Sequence, residues 1–248
     1  MSKRIEIASG VITLAVGSLI LNPIGAAVFD KVMHPILADF MERMLSTNQK
    51  NRIEKVLEDA INKIASRLEK NEIPSIKDGS WTEDSNRISD AKVVLEGVLL
   101  KARDEYEEKK LPYYSNLIAQ MAFDPSWSYQ RLNAMIRMFD QLSYRQLQFM
   151  ALAMQKGNID TSQWDVRFKR TPESYAYYDL FCEVTNLSFL ALFYQPEPSI
   201  TMGLGNKLAL SPIGKSMVEL MELNSIPQDE LEELDNMIIT LNNDILKL

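Results

Sequence analysis

Residues 50–71, KNRIEKVLEDAINKIASRLEKN, decide the fold class. Ile53, Val56, Leu57, Ala60, Ile61, Ile64 and Leu68 recur at steps of one, three and four, with charged residues between them. That spacing places the apolar side chains on one stripe of a helix and the charges opposite. A stripe of this kind is stable only when covered, so the segment is an amphipathic helix packed against other helices.

The same period continues through the chain. A loop rich in Pro, Gly and Ser is expected at 72–86 (EIPSIKDGSWTEDSN). Ser89-Asp90 then offers a start for a helix to about Lys110. Pro112 opens the next helix, which Asp124-Pro125 ends. Two more are expected at 129–141 and 144–156, the second capped by Ser143 and stopped by Gly157-Asn158. Residues 164–170, WDVRFKR, alternate as a strand does, with Val166 and Phe168 against Arg167 and Lys169. A helix follows over 172–192, then a turn-rich connection over 195–206. A short strand is expected at 208–210 and a helix from Ser211 to Leu223. The last helix begins near Pro227. Its apolar residues Leu231, Leu234, Ile238, Leu241, Ile245 and Leu248 form a narrow heptad seam, which suits either an oligomer contact or packing on its own domain.

The expected fold class is therefore all-α: a multi-helix bundle with an apolar N-terminal helix. Its C-terminal part, Tyr178–Leu223, is winged-helix-like with one short hairpin. The expected organisation is 1–71 as apolar and amphipathic N-terminal helices and 72–88 as linker. Residues 89–226 form a helical sensing domain, and 227–248 an acidic heptad helix.

Residues 8–29, ASGVITLAVGSLILNPIGAAVF, contain no charge. A membrane helix needs about 20 mostly apolar residues, so the run is long enough. Gly10, Gly17, Gly25 and Pro23 make it a poor permanent span and predict a break at Asn22-Pro23 between helices over 5–21 and 24–45. Small residues permit close helix contacts in a membrane, and hydroxyls can line a pore. The candidate membrane or pore residues are Gly10, Thr13, Leu14, Gly17 and Leu21. The other reading of the run is a buried core helix in a soluble oligomer. A secretory signal is not expected, because Glu6 interrupts the basic region and no small-x-small cleavage site precedes a polar start.

The chemistry of an enzyme is not visible in this chain. Its one histidine, His34, lies beside Pro35 on an apolar helix, so a multi-histidine metal site is excluded. Its one cysteine, Cys182, excludes an internal disulfide and is expected to be buried as a small hydrophobe. Gly214, Lys215 and Ser216 resemble the end of a phosphate loop, but Ala209 stands where that loop needs Gly. Ser211 and Pro212 instead read as a helix cap and first turn. Gly203 and Gly205 lack the third glycine of a dinucleotide fingerprint, since Leu208 holds that position. The cluster Asp104, Glu105, Glu107, Glu108, Lys109 and Lys110 is expected to be a solvated helix face. No catalytic residue, metal ligand or cofactor is expected.

One binding patch is visible. Trp164, Arg167, Phe168, Lys169 and Arg170 interleave rings with cations, the combination that single-stranded nucleic acid uses for bases and phosphates. Arg131, Arg137 and Arg145 extend the candidate surface. The net charge is −7, and residues 227–248 carry six acids against Lys247, so most of the acidity is local to that end. A basic site elsewhere is compatible with the total.

Three stretches, ARDEYEEKKLPYYSNLIAQMAFDPS at 102–126, QLSYRQLQFMALA at 141–153, and NLSFLALF with LALSPIGKSMVEL within 186–220, resemble the helical phage-defence proteins of the abortive-infection alpha type. They span about half of the chain, and none is catalytic. Within that group the chain is most similar to the channel effectors of Hailong-type two-gene systems. The resemblance implies an antiviral effector forming an oligomeric ion channel or pore in a bacterial inner membrane, with conditional insertion from the cytoplasm. It also implies gating by single-stranded DNA or an oligonucleotide made by a partner nucleotidyltransferase. The rival expectation is a soluble winged-helix-like regulator that binds DNA, or a protein-interaction adaptor.

Overall fold

The computed structural model describes residues 46–72, 90–124, 126–161, 164, 172–196 and 207–245. The expected helices at 5–21 and 24–45, the candidate pore residues, His34, most of the 72–86 loop, and residues 165–170 lie outside them. The described chain is mostly helical, with a small three-stranded sheet. It divides into two compact units, one ending at Gln141 and the other beginning at Leu142. The stretch 89–226, read from sequence as one domain, contributes to both.

The first unit contains α1 (Thr47–Glu69), α2 (Asp90–Asp104), a 3-10 turn (Glu108–Lys110), α3 (Leu111–Phe123) and α4 (Tyr129–Gln141). Ser46 caps α1 through a capping box: its Oγ accepts from the Gln49 backbone N–H, and the Gln49 side chain accepts from the Ser46 N–H. The stripe read from sequence is buried at all seven positions, together with Ala65. It packs on α3 and α2, and α2 in turn packs on α4. α3 is the centre. From Tyr113 to Ala119 every residue is buried, so the helix is covered around its whole circumference.

The second unit contains α5 (Tyr144–Lys156), β1 (Ile159–Asp160), α6 (Pro172–Phe189), β2 (Phe193–Tyr194), β3 (Lys207–Leu210), α7 (Pro212–Leu220), a 3-10 turn (Leu223–Ser225) and α8 (Gln228–Ile245). The strands are antiparallel in the order β1-β3-β2, pairing Ile159 with Leu208 and Phe193 with Leu210. β1 was not foreseen: two residues are too few to show a period. α5 is the hub, touching α6, α7, α8 and the sheet. A second capping box, Ser143 with Gln146, starts it, and Gly157 ends it at φ 82°. Only glycine adopts that conformation without strain.

The heptad seam of α8 faces its own unit. Leu231, Leu234, Ile238 and Leu241 are all buried, and α8 packs on α5. An ion pair of Lys156 with Asp235 and a hydrogen bond from Gln148 to Glu230 (3.2 Å) hold the two helices together. Of the two uses of the seam, packing on its own unit is the one realised at these four positions.

α7 starts as expected, with Ser211 as cap and Pro212 in the first turn. Ser211 Oγ accepts from the Gly214 N–H at 3.0 Å and donates to the Ala191 carbonyl at 2.6 Å. The Ser211 N–H donates to the Leu192 carbonyl at 2.9 Å. This draws the helix start onto the turn after α6. A Cβ on Gly214 would stand 2.2 Å from the Leu192 oxygen. The glycine serves close backbone packing and not a phosphate loop. Gly214→Ala is expected to destabilise the fold by roughly 1–3 kcal/mol, read as a lower urea midpoint. Gly157→Ala meets no neighbour and is expected to cost about 1 kcal/mol from backbone strain alone.

Candidate functional site

The residues of the basic-aromatic patch do not form one described surface. Trp164 is 1% exposed, and its indole N–H donates to Asn242 Oδ1 at 2.9 Å. Asn242 in turn donates to the Asp160 carbonyl at 3.1 Å. Trp164 therefore joins the end of β1 to α8 and belongs to the core. A base-stacking role needs an exposed ring face, so that expectation is corrected. Burial with a satisfied N–H is the usual placement of tryptophan in a core.

Arg145 spends its charge inside the second unit. Its guanidinium donates to both oxygens of Glu183, at 2.6 and 3.1 Å. The hydrogen bond to Glu183 raises the Arg145 pKa above its ordinary value, against the opposing effect of burial. Ser143 Oγ also reaches Glu183, and the Gln146 amide donates to the Glu183 carbonyl. These bonds tie the first turn of α5 to α6. Arg131 and Arg137 are exposed on α4, in the first unit. Six residues separate them, which puts them roughly 120° apart around the helix, on different faces. Arg131 lies over the Trp127 ring, 4.1 Å from its centroid. That is a cation–aromatic pair at the surface, seated where α4 begins. Arg167, Phe168, Lys169 and Arg170 lie outside the described residues.

The acidic cluster at 104–110 also differs from its expectation. α2 ends at Asp104, and Glu105 turns inward. The side chains of Glu105 and Lys110 are 4% and 2% exposed and pair at 2.5 Å. The Glu105 carboxylate also accepts from the Glu107 N–H (2.9 Å) and the Tyr114 hydroxyl (3.3 Å). The Lys110 ammonium sits 5.3 Å from the Phe139 ring, which meets the Tyr114 ring edge-to-face at 4.7 Å between centroids. A buried charge persists when it is paired and its remaining lone pairs are satisfied, and here both conditions hold. Sequence reasoning missed the pair because its charges alternate with truly exposed Glu108 and Lys109. Burial, followed by the Glu105 charge, pushes the Tyr114 phenol well above its ordinary range.

A surface absent from the sequence reading lies on α6. Tyr178, Cys182, Thr185 and Phe189 recur at steps of four, three and four, so they share one outward stripe. Tyr178 is 50% exposed and Phe189 85%. Cys182 is exposed as well, which corrects the expectation of a buried thiol. Tyr194 on the edge strand β2 is half exposed. Aromatic side chains on an otherwise polar surface mark contact sites more often than catalytic ones. Among the described residues there is no metal-binding cluster, and no helix is long and apolar enough to cross a membrane.

Comparison with protein-family models, curated proteins and solved structures gives no match to this chain.

Two substitutions test the buried pair. Lys110→Met alone leaves Glu105 charged and uncompensated and is expected to cost roughly 3–5 kcal/mol. Joining it with Glu105→Leu should recover most of that loss, measured by chemical denaturation. The raised phenol pKa adds a pH dependence. Its contribution is complete below about pH 10, the ordinary tyrosine value, and is lost as pH rises through the folded pKa. Tyr114→Phe is expected to remove that alkaline limb from the stability profile.

Proposed function

We propose that the chain is an antiviral effector of the abortive-infection class, forming an oligomeric membrane channel or pore that a nucleic-acid or nucleotide signal opens. The observation that carries this reading is the charge-free run Ala8–Phe29, long enough to span a bilayer and broken by Gly and Pro. The resemblance of residues 102–126, 141–153 and 186–220 to the abortive-infection alpha type, read from sequence, supports it. In the resting state the run is covered by protein, and in the active state it enters the membrane. A signal drives that change only by binding one state more tightly than the other. The rest of the chain then acts as the sensing and assembly body. Arg131, beside Trp127, and Arg137 remain candidate contacts for the signal, with 167–170 as the sequence-based extension.

A second reading is favoured by one observation. Helix α5, β1, helix α6, β2 and β3 follow one another with strand order β1-β3-β2, a strand order that supports reading this part as winged-helix-like. α6 takes the place of the recognition helix, yet it presents Tyr178, Asp179 and Phe189. An aromatic and acidic face suits a protein partner better than a phosphate backbone. On this reading the unit is an adaptor, and fold alone gives it no further function.

Dye release from liposomes separates the two readings. The purified protein is expected to release dye only with an activating ligand, tested with short single-stranded DNA and with linear and cyclic oligonucleotides. Leu14→Asp and Gly17→Asp place a charge costing about 2.5–3.5 kcal/mol at mid-bilayer and should abolish release while the body stays folded. A protein that remains in the soluble cell fraction and never releases dye would sink the channel reading and leave the adaptor.

A further inference from the structure

The outward face of α8 and the adjoining part of α6 enclose a groove of about 590 Å³ in the second unit. Met237 of α8 supplies its exposed apolar surface, Leu180 of α6 lies buried beneath at 1% exposure, and Asp229, Glu232, Glu233, Asn236 and Thr240 line the rest. It is more open to solvent than enclosed. The seam that holds α8 in place points the other way, so this face is not needed for packing the helix.

The carboxylates are the informative part. Asp229 stands three and four residues before Glu232 and Glu233, and like charges at those spacings repel across a helix face. The helix dipole compensates Asp229, which lies in the first turn. It does not reach Glu233, beyond that turn. Two other acids of this unit have cationic partners: Asp235 pairs with Lys156, and Glu183 with Arg145. Among the described residues, Asp229, Glu232 and Glu233 have no cationic partner. The α6 residue on the lining, Leu180, carries no charge.

We propose that this groove docks a basic amphipathic helix of a partner protein, its apolar face on Met237 above the buried Leu180 and its Lys or Arg residues on the three carboxylates. Charge complementarity selects the sign of the partner. The apolar surface selects an amphipathic segment over a diffuse polycation, and helix-in-groove docking uses this pairing. Met237, 38% exposed, is suited to such a contact because its unbranched thioether adapts to different shapes. The proposal is independent of the channel reading and holds equally for an adaptor.

The test uses the full chain and a labelled synthetic helix of about 14 residues, roughly 21 Å long, with leucines on one face and lysines beside them. Fluorescence anisotropy should show binding of this peptide and none of its glutamate counterpart. Glu232→Lys with Glu233→Lys should weaken binding about tenfold or more, and Met237→Ser about fivefold. Glu58→Lys with Glu69→Lys, exposed on α1, changes net charge equally and should leave affinity within about twofold. Amide exchange should slow at 229–240 when the peptide binds. Three results overturn the proposal: no binding of the lysine peptide, equal weakening by the control pair, or no effect of Met237→Ser. Protection confined to other segments would likewise assign the contact elsewhere.

Discussion

A helix buried around most of its circumference must settle its polar ends within the protein, and each unit is arranged around one such helix. In the first unit α3 is enclosed by α1 and α2. Its entry is built from the buried Glu105–Lys110 pair and the Tyr114 hydroxyl. In the second unit α5 touches nearly every other element, and its entry is the Ser143–Gln146 box with Arg145 on Glu183. The same requirement is answered once by a desolvated ion pair and once by a cap braced from α6. In both, the polar groups fix where the central helix begins, and the apolar faces then determine what surrounds it.

The charges divide accordingly. Arg145, Lys110, Lys101 and Lys156 are engaged by Glu183, Glu105, Asp140 and Asp235. Among the described residues of the second unit, the outward faces of α8 and α6 are acidic and aromatic, while Lys207 on β3 and Lys215 on α7 are exposed cations. A nucleic-acid signal, if the channel reading holds, has its described candidate contacts on α4 of the first unit, where Arg131 and Trp127 meet.

Most helices were legible because their apolar period and their caps agree. The limits of α4 and α5 coincide with the expected ones, and Ser143, Gly157, Ser211 and Pro212 play the roles their positions suggest. The 90–110 helix was drawn too long, since nothing in a charged heptapeptide reveals which carboxylate turns inward. Trp164 read as part of a binding patch because adjacent Arg and Lys residues carry the same local signal for a surface as for a chain entering a core. Cys182 read as buried on residue type, whereas its place on the outer stripe of α6 depends on which side of that helix meets α5.

By itself the sequence determined the helical class, the stripe of α1, the capped ends of α5 and α7, and the charge-free N-terminal run. All of these are set by residues within a few positions of one another, where helical period and backbone preference act directly. Only the tertiary structure decided that Glu105 and Lys110 are buried, that Trp164 spans from β1 to α8, that the α8 seam closes on its own unit, and that β3 lies between β1 and β2. Each of these joins residues through packing partners that local pattern does not name, and burial is a property of the partner as much as of the residue.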